Sequence, residues 1–108
     1  YAVKASNYKG LRRGSPVYCR NNWHIHHATK GGGQILVCTA GEGWYQEEGK
    51  AQVSLTPGTV QVIPPEVKHW HGAKKDSWFS HIAIEVTGEN CSNEWCEPVT
   101  DEQYDALD

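Results

Sequence analysis

Histidine pairs at even spacing constrain this chain more than any other feature. In Trp23-His24-Ile25-His26-His27 two imidazoles stand two residues apart, and His69-Trp70-His71 repeats the arrangement. In a β-strand, residues i and i+2 project from the same face. Read as strands, the two segments aim His24 with His26, and His69 with His71, each pair to one side. A third run, Ser77 to Val86, alternates over its whole length. Phe79, His81, Ala83 and Glu85 take one face, and Trp78, Ser80, Ile82, Ile84 and Val86 the other. Five of the six histidines can therefore be aimed into one space. His27 falls on the far face of its strand and reads as a surface or interface residue. By the same parity Trp70 turns away from His69 and His71.

The rest of the chain supports an all-β fold. Gln34 to Ala40 is rich in β-formers between Gly33 and Gly41 and reads as a buried strand. Gly43 to Glu47 and Ala51 to Leu55 flank a hairpin turn at Glu48-Gly49. Thr56-Pro57-Gly58 is a turn, Val60 to Ile63 a short strand, and Pro64-Pro65 ends it because proline cannot donate to a ladder. Val67 to His71 reads as the next strand. Tyr1 to Ser15 reads as an N-terminal arm or edge segment, Pro16 to Arg20 as a short edge strand, and 16–88 as one barrel-forming unit. After Gly88 the alternation stops. The tail, 89–108, is expected to carry one short helix from about Asp101, because Thr100-Asp101-Glu102-Gln103 fits a capping box. Trp95 would anchor this tail to the barrel or to a second subunit.

At 108 residues the chain is one domain in size, and 38% apolar content suffices for a single core. Ten basic against thirteen acidic residues, with no basic block, give no footprint for a nucleic-acid partner. No apolar run approaches the length that spans a bilayer, so no membrane partner is expected. The chain starts at Tyr1 and contains no Met, so its true start is expected upstream. Cys19, Cys38, Cys91 and Cys96 lack zinc-site spacing and read as free thiols in a reducing cytoplasm. The Gly31 to Gly33 run lacks the lysine and helix of a phosphate loop, which excludes nucleotide binding on this motif.

From Val17 to Glu85 the sequence resembles the cupins, small jelly-roll barrels with an internal metal site. His24, His26, Gln34 and Gly41 match the first cupin motif, with six residues between Gln34 and Gly41. Gly58, Pro64 and His69 match the second. Gln34-Ile35-Leu36-Val37, Gly43-Trp44-Tyr45-Gln46, His69-Trp70-His71-Gly72 and Ser80-His81-Ile82-Ala83-Ile84-Glu85 look like one subgroup. It is akin to the manganese-dependent bacterial hydroxynitrile lyases and the cupins associated with carboxymuconolactone decarboxylases. The pattern departs at Tyr18 and Glu66, which replace the motif glycines, at Thr59, where many cupins have Asp, and in extra residues between His26 and Gln34. If position 66 needs positive φ, Glu66 costs on the order of 1 kcal/mol or more.

The resemblance implies a cupin (jelly-roll) barrel with a short C-terminal helix and a divalent metal ion held by His24, His26, His69 and the amide oxygen of Gln34. Manganese is the first expectation, with iron, zinc or nickel as alternatives, since an amide oxygen favours harder ions. Three neutral imidazoles and an amide add no negative charge, so the site would stay cationic. His71, His81 and Glu85 are the catalytic candidates: the two histidines as general acid or base, and Glu85, in the same pocket where the lyases tend to have Gln, as a carboxylate that could hold His81 as imidazolium or act as base itself. The expected activity is a lyase or decarboxylase-like reaction on a small oxygenated molecule. A cupin dioxygenase and a non-catalytic ligand-binding or sensor cupin are the alternatives. Barrel edges of this kind tend to pair, so a homodimer is expected.

Overall fold

The computed structural model describes residues 3–9 and 20–107, with Lys4, Ala5 and Tyr8 the side chains described in the first of these stretches. Among the described residues, eleven strands and one helix follow in order. They are β1 (Val3–Lys9), β2 (His24–His27), β3 (Lys30–Gly31), β4 (Gln34–Gly41), β5 (Gly43–Glu47) and β6 (Val53–Leu55). Then come β7 (Val60–Ile63), β8 (His69–Ala73), β9 (Trp78–Glu85), β10 (Gly88–Glu89), β11 (Ser92–Trp95) and α1 (Asp101–Asp105). Every pairing is antiparallel. One sheet has the order β1-β9-β4-β7, a second β11-β2-β8-β5-β6, and β3 and β10 form a separate ribbon. This is the expected jelly roll with a short C-terminal helix.

Alternation along the strands divides the interior in two. Leu36 and Cys38 of β4, Phe79 and Ala83 of β9, Tyr45, Leu55, Ile63 and Ala73 form an apolar cluster. The histidines occupy the remaining interior, and His24, His26, His69, His71 and His81 are all buried. On β9 the residues from Phe79 to Ala83 alternate between buried and half-buried, as the sequence predicts. The predicted strand from Val67 begins instead at His69 and continues to Ala73. A turn follows Pro64-Pro65, and Glu66 within it has φ of +66°.

A second core lies on the outer face of the five-stranded sheet. Trp23, Trp44 and Trp70 pack there with Val99, Tyr104 and Leu107. The capping box forms as predicted: Thr100 Oγ1 accepts the Gln103 N–H, and Gln103 Oε1 accepts the Thr100 N–H. That cap starts α1 where Tyr104 can reach the sheet, and its hydroxyl donates to Ala73 O at 2.6 Å. Arg20 stacks over the Tyr104 ring and donates to Val99 O and Asp101 Oδ1. Strand β8 is thereby covered on both faces, which is why Trp70, turned away from the imidazoles, is fully buried.

Beyond Gly88, in the stretch read as a tail with a short helix, the chain also pairs as strands. Ser92 to Trp95 pairs with β2 in the register Asn93↔His26 and Trp95↔His24. Gly88-Glu89 pairs with Lys30-Gly31. Tyr1, Pro16 to Cys19 and the Tyr18 replacement lie outside the described residues, while Arg20 makes a bridge to Gly72. Cys38, Cys91 and Cys96 are free thiols.

Candidate metal centre

Strand pairing brings the two histidine motifs together. His24 of β2 lies opposite His69 of β8 in the ladder. Their ring centroids are 4.2 Å apart, and each lies 5.1 Å from that of His26. One ring nitrogen from each of the three falls within 4.8 Å of the others, a grouping that could hold a metal ion. In each ring Nδ1 is engaged on the outside: with Asn22 O at 2.8 Å for His24, Asn93 Oδ1 at 2.8 Å for His26, and Val67 O at 2.9 Å for His69. An oxygen acceptor at Nδ1 fixes the proton there and leaves the Nε2 lone pair free. His26 Nε2 and His69 Nε2 are buried and have no protein partner.

Gln34 opens β4 from the facing sheet, and its side chain lines the same cavity as His24 and His26. Gly33, at φ +92°, approaches Ile63 O so closely that a Cβ there would sit 2.4 Å from it. The tight turn sets where β4 starts. Gln34 Nε2 donates to Glu85 Oε1 at 2.7 Å, and Gln34 Oε1 is buried without a partner. Buried polar atoms are nearly always paired. Two imidazole nitrogens and an amide oxygen without protein partners, all lone-pair donors, fit a cation.

The chamber beside these groups has a volume of about 240 Å³ and is lined by His71, His81, Glu85, Tyr8, Asn21 and Trp95 among others. His71 and His81 meet edge to face at 4.8 Å. Tyr8 of β1 stacks on His81 at 5.5 Å. Burial lowers the pKa of His81 to about 4, with Lys4 adding to the effect. Burial and then the neighbouring imidazoles hold His71 well below the ordinary value. His69 is lowered to about 3, again mainly by burial, with His24 contributing, and His24 is lowered by burial too. These four rings are neutral near pH 7, the form that binds metals or accepts protons.

Several contributors have no signal in strand alternation. Asn93 orients His26 from β11. Asn21 brackets His71, accepting its backbone N–H at 2.9 Å and placing Nδ2 3.3 Å from its ring. Trp95 is 64% exposed, and its ring lies 4.9 Å from that of His24 at the chamber wall. Glu66 itself adopts a left-handed backbone, with φ of +66°. Its N–H donates to His26 O at 2.8 Å, and its carboxylate accepts from Ala28 N–H and pairs with His27 Nδ1. His27 Nε2 meets Glu94 at 2.7 Å, and Glu94 first and then Glu66 raise the His27 pKa. His27 is thus on the surface side, as its parity predicts. It ties β11 and the turn before His69 to the strand that carries His26.

No protein-family profile matches the chain. It is 44% identical over 85 residues to the (R)-mandelonitrile lyase of Granulicella tundricola, over 79% of this chain and 62% of that protein. It therefore spans slightly less than two thirds of that curated relative. A cupin-like protein from Thermotoga maritima, solved by crystallography, superposes with a TM-score of 0.77 at 37% identity, over 96% of this chain and 70% of that one. A protein with a double-stranded β-helix domain from Klebsiella pneumoniae superposes with a TM-score of 0.67 at 16% identity, over 88% of this chain and 73% of that one, a likeness of fold alone.

Proposed function

The chain belongs to the cupin family, and we propose that it is a metal-dependent lyase acting on a small oxygenated organic molecule in the histidine-lined chamber. The observation that carries this reading is the set of buried, unpartnered lone-pair donors on His26, His69 and Gln34 beside the His24 ring. His24, His26 and His69 would hold a divalent ion through Nε2 and Gln34 through Oε1. The hard amide oxygen favours manganese, with iron, zinc or nickel as alternatives. When bound, such an ion supplies Lewis-acid polarisation of a substrate oxygen.

The chain's own residues supply the proton chemistry. His81 is neutral, and its Nδ1 is buried with no protein partner. We assign it the base that takes a substrate hydroxyl proton while the bond to the leaving group breaks. The burial that disfavours its charged form drives that proton back to the departing anion. His71, bracketed by Asn21, limits how far the His81 ring can turn. Tyr8 and Phe79 stack on the His81 ring and hold its plane.

The name of the Granulicella relative makes mandelonitrile cleavage to benzaldehyde and hydrogen cyanide the first reaction to assay. Benzaldehyde release by the metal-loaded protein, lost in His81→Ala with metal retained, supports the proposal. Unchanged turnover in His81→Ala removes the assigned base. Turnover by protein loaded only with redox-inert zinc excludes the dioxygenase alternative.

A second copy of the chain is the partner we favour. Ile35, Val37, Val60, Val62, Ile82 and Ile84 form an uncharged outer face on the four-stranded sheet, and Val60 and Val62 are 58% and 59% exposed. Free Cys38, Cys91 and Cys96 support a reducing, cytoplasmic setting. Among the described residues no helix is long and apolar enough to cross a membrane.

A further inference from the structure

We propose that Glu85 is a positioning residue that decides which end of the Gln34 amide faces the metal site. This inference rests on the metal reading above. The two ends of a glutamine amide are nearly equal in shape, but only the oxygen has a lone pair for a cation. An amide free to turn would present NH₂ part of the time and oppose binding.

Glu85 removes that freedom. Gln34 and Glu85 are direct partners in the β4–β9 ladder. Side chains so placed are within reach of one another across the sheet face. An ionised carboxylate only accepts hydrogen bonds, so it selects the NH₂ end. The contact is 2.7 Å, at the short end for a charge-assisted bond. Gln34 is 8% exposed, and its Oε1 is left buried and unengaged on the cavity side. Donation from Nε2 to a carboxylate also shifts electron density toward Oε1, which makes it a better ligand. Glu85 thus acts on the site through Gln34.

A double-mutant cycle with calorimetric Mn²⁺ binding tests this, with thermal unfolding confirming that each variant folds. Glu85→Ala is expected to weaken Mn²⁺ binding about 10–100-fold, the range for loss of an outer-shell partner. Glu85→Gln keeps an acceptor for Nε2 and is expected to restore most of that affinity. In a Gln34→Ala background, Glu85→Ala is expected to change affinity little. An equal loss in both backgrounds, or a Glu85→Gln variant as weak as Glu85→Ala, overturns the positioning role. Wild-type protein that takes up neither Mn²⁺ nor Zn²⁺ overturns the metal reading beneath it.

Discussion

Replacing Asn93 with alanine isolates one link in the metal site. Of the three groups that engage Nδ1 of the clustered histidines, two are backbone carbonyls, Asn22 O and Val67 O, which no side-chain substitution removes. The third is Asn93 Oδ1, 2.8 Å from His26 Nδ1. Its loss forfeits one net hydrogen bond, about 1 kcal/mol. It also frees His26 to place its proton on Nε2, where it blocks a ligand bond. Together these predict metal affinity reduced about 10–100-fold, or about 1.4–2.7 kcal/mol. Asn93 is exposed on an edge strand, so the fold should hold to within about 0.5 kcal/mol. Competition titration of Zn²⁺ or Mn²⁺ against a chelator measures the change, and Asn93→Asp, which keeps the acceptor, should recover it. Unchanged affinity in Asn93→Ala would refute the argument that β11 sets the His26 tautomer.

Two further outcomes follow from burial. The folded pKa values of His81, about 4, and His69, about 3, lie below that of an unfolded histidine, about 6.5. The unfolded chain therefore binds these protons first. In metal-free protein, stability should be full above about pH 6.5 and fall as pH drops toward 4 and then 3. Urea unfolding at descending pH checks this, and stability that stays flat or rises contradicts it. Tyr104→Ala removes a fully buried ring and its bond to Ala73 O, and should destabilise by about 3–5 kcal/mol with a red shift in tryptophan emission. A loss under about 1 kcal/mol would mean that α1 does not hold the outer core.

The sequence exposes those parts of the site that depend on period-two alternation. His24 with His26, and Phe79 through Glu85, project as a strand must project them, whatever the strand pairs with. Trp70 is legible for the same reason. Strand β11 is not legible, because Ser92-Asn93-Glu94-Trp95 is exposed throughout and lacks an apolar face. It is a strand because the edge of β2 is available to pair with it. Asn93 is hidden by that dependence, and so is the place of Trp95 beside His24. Glu66 is intermediate: a residue in place of a motif glycine signals a left-handed turn, but the bonds to His26, Ala28 and His27 that hold the turn exist only in three dimensions. Glu85 was legible as a pocket residue, whereas its grip on Gln34 required the ladder register.

Strands β2 and β8 bring imidazoles from distant parts of the chain to one site that could hold a metal ion. Elemental analysis of untagged protein tests it most directly, comparing wild type, His69→Ala and His81→Ala after confirming that each is folded. Stoichiometric divalent metal is expected in wild type and His81→Ala, and loss of it in His69→Ala. Equal metal content in all three, or none in the wild type after reconstitution, would contradict it.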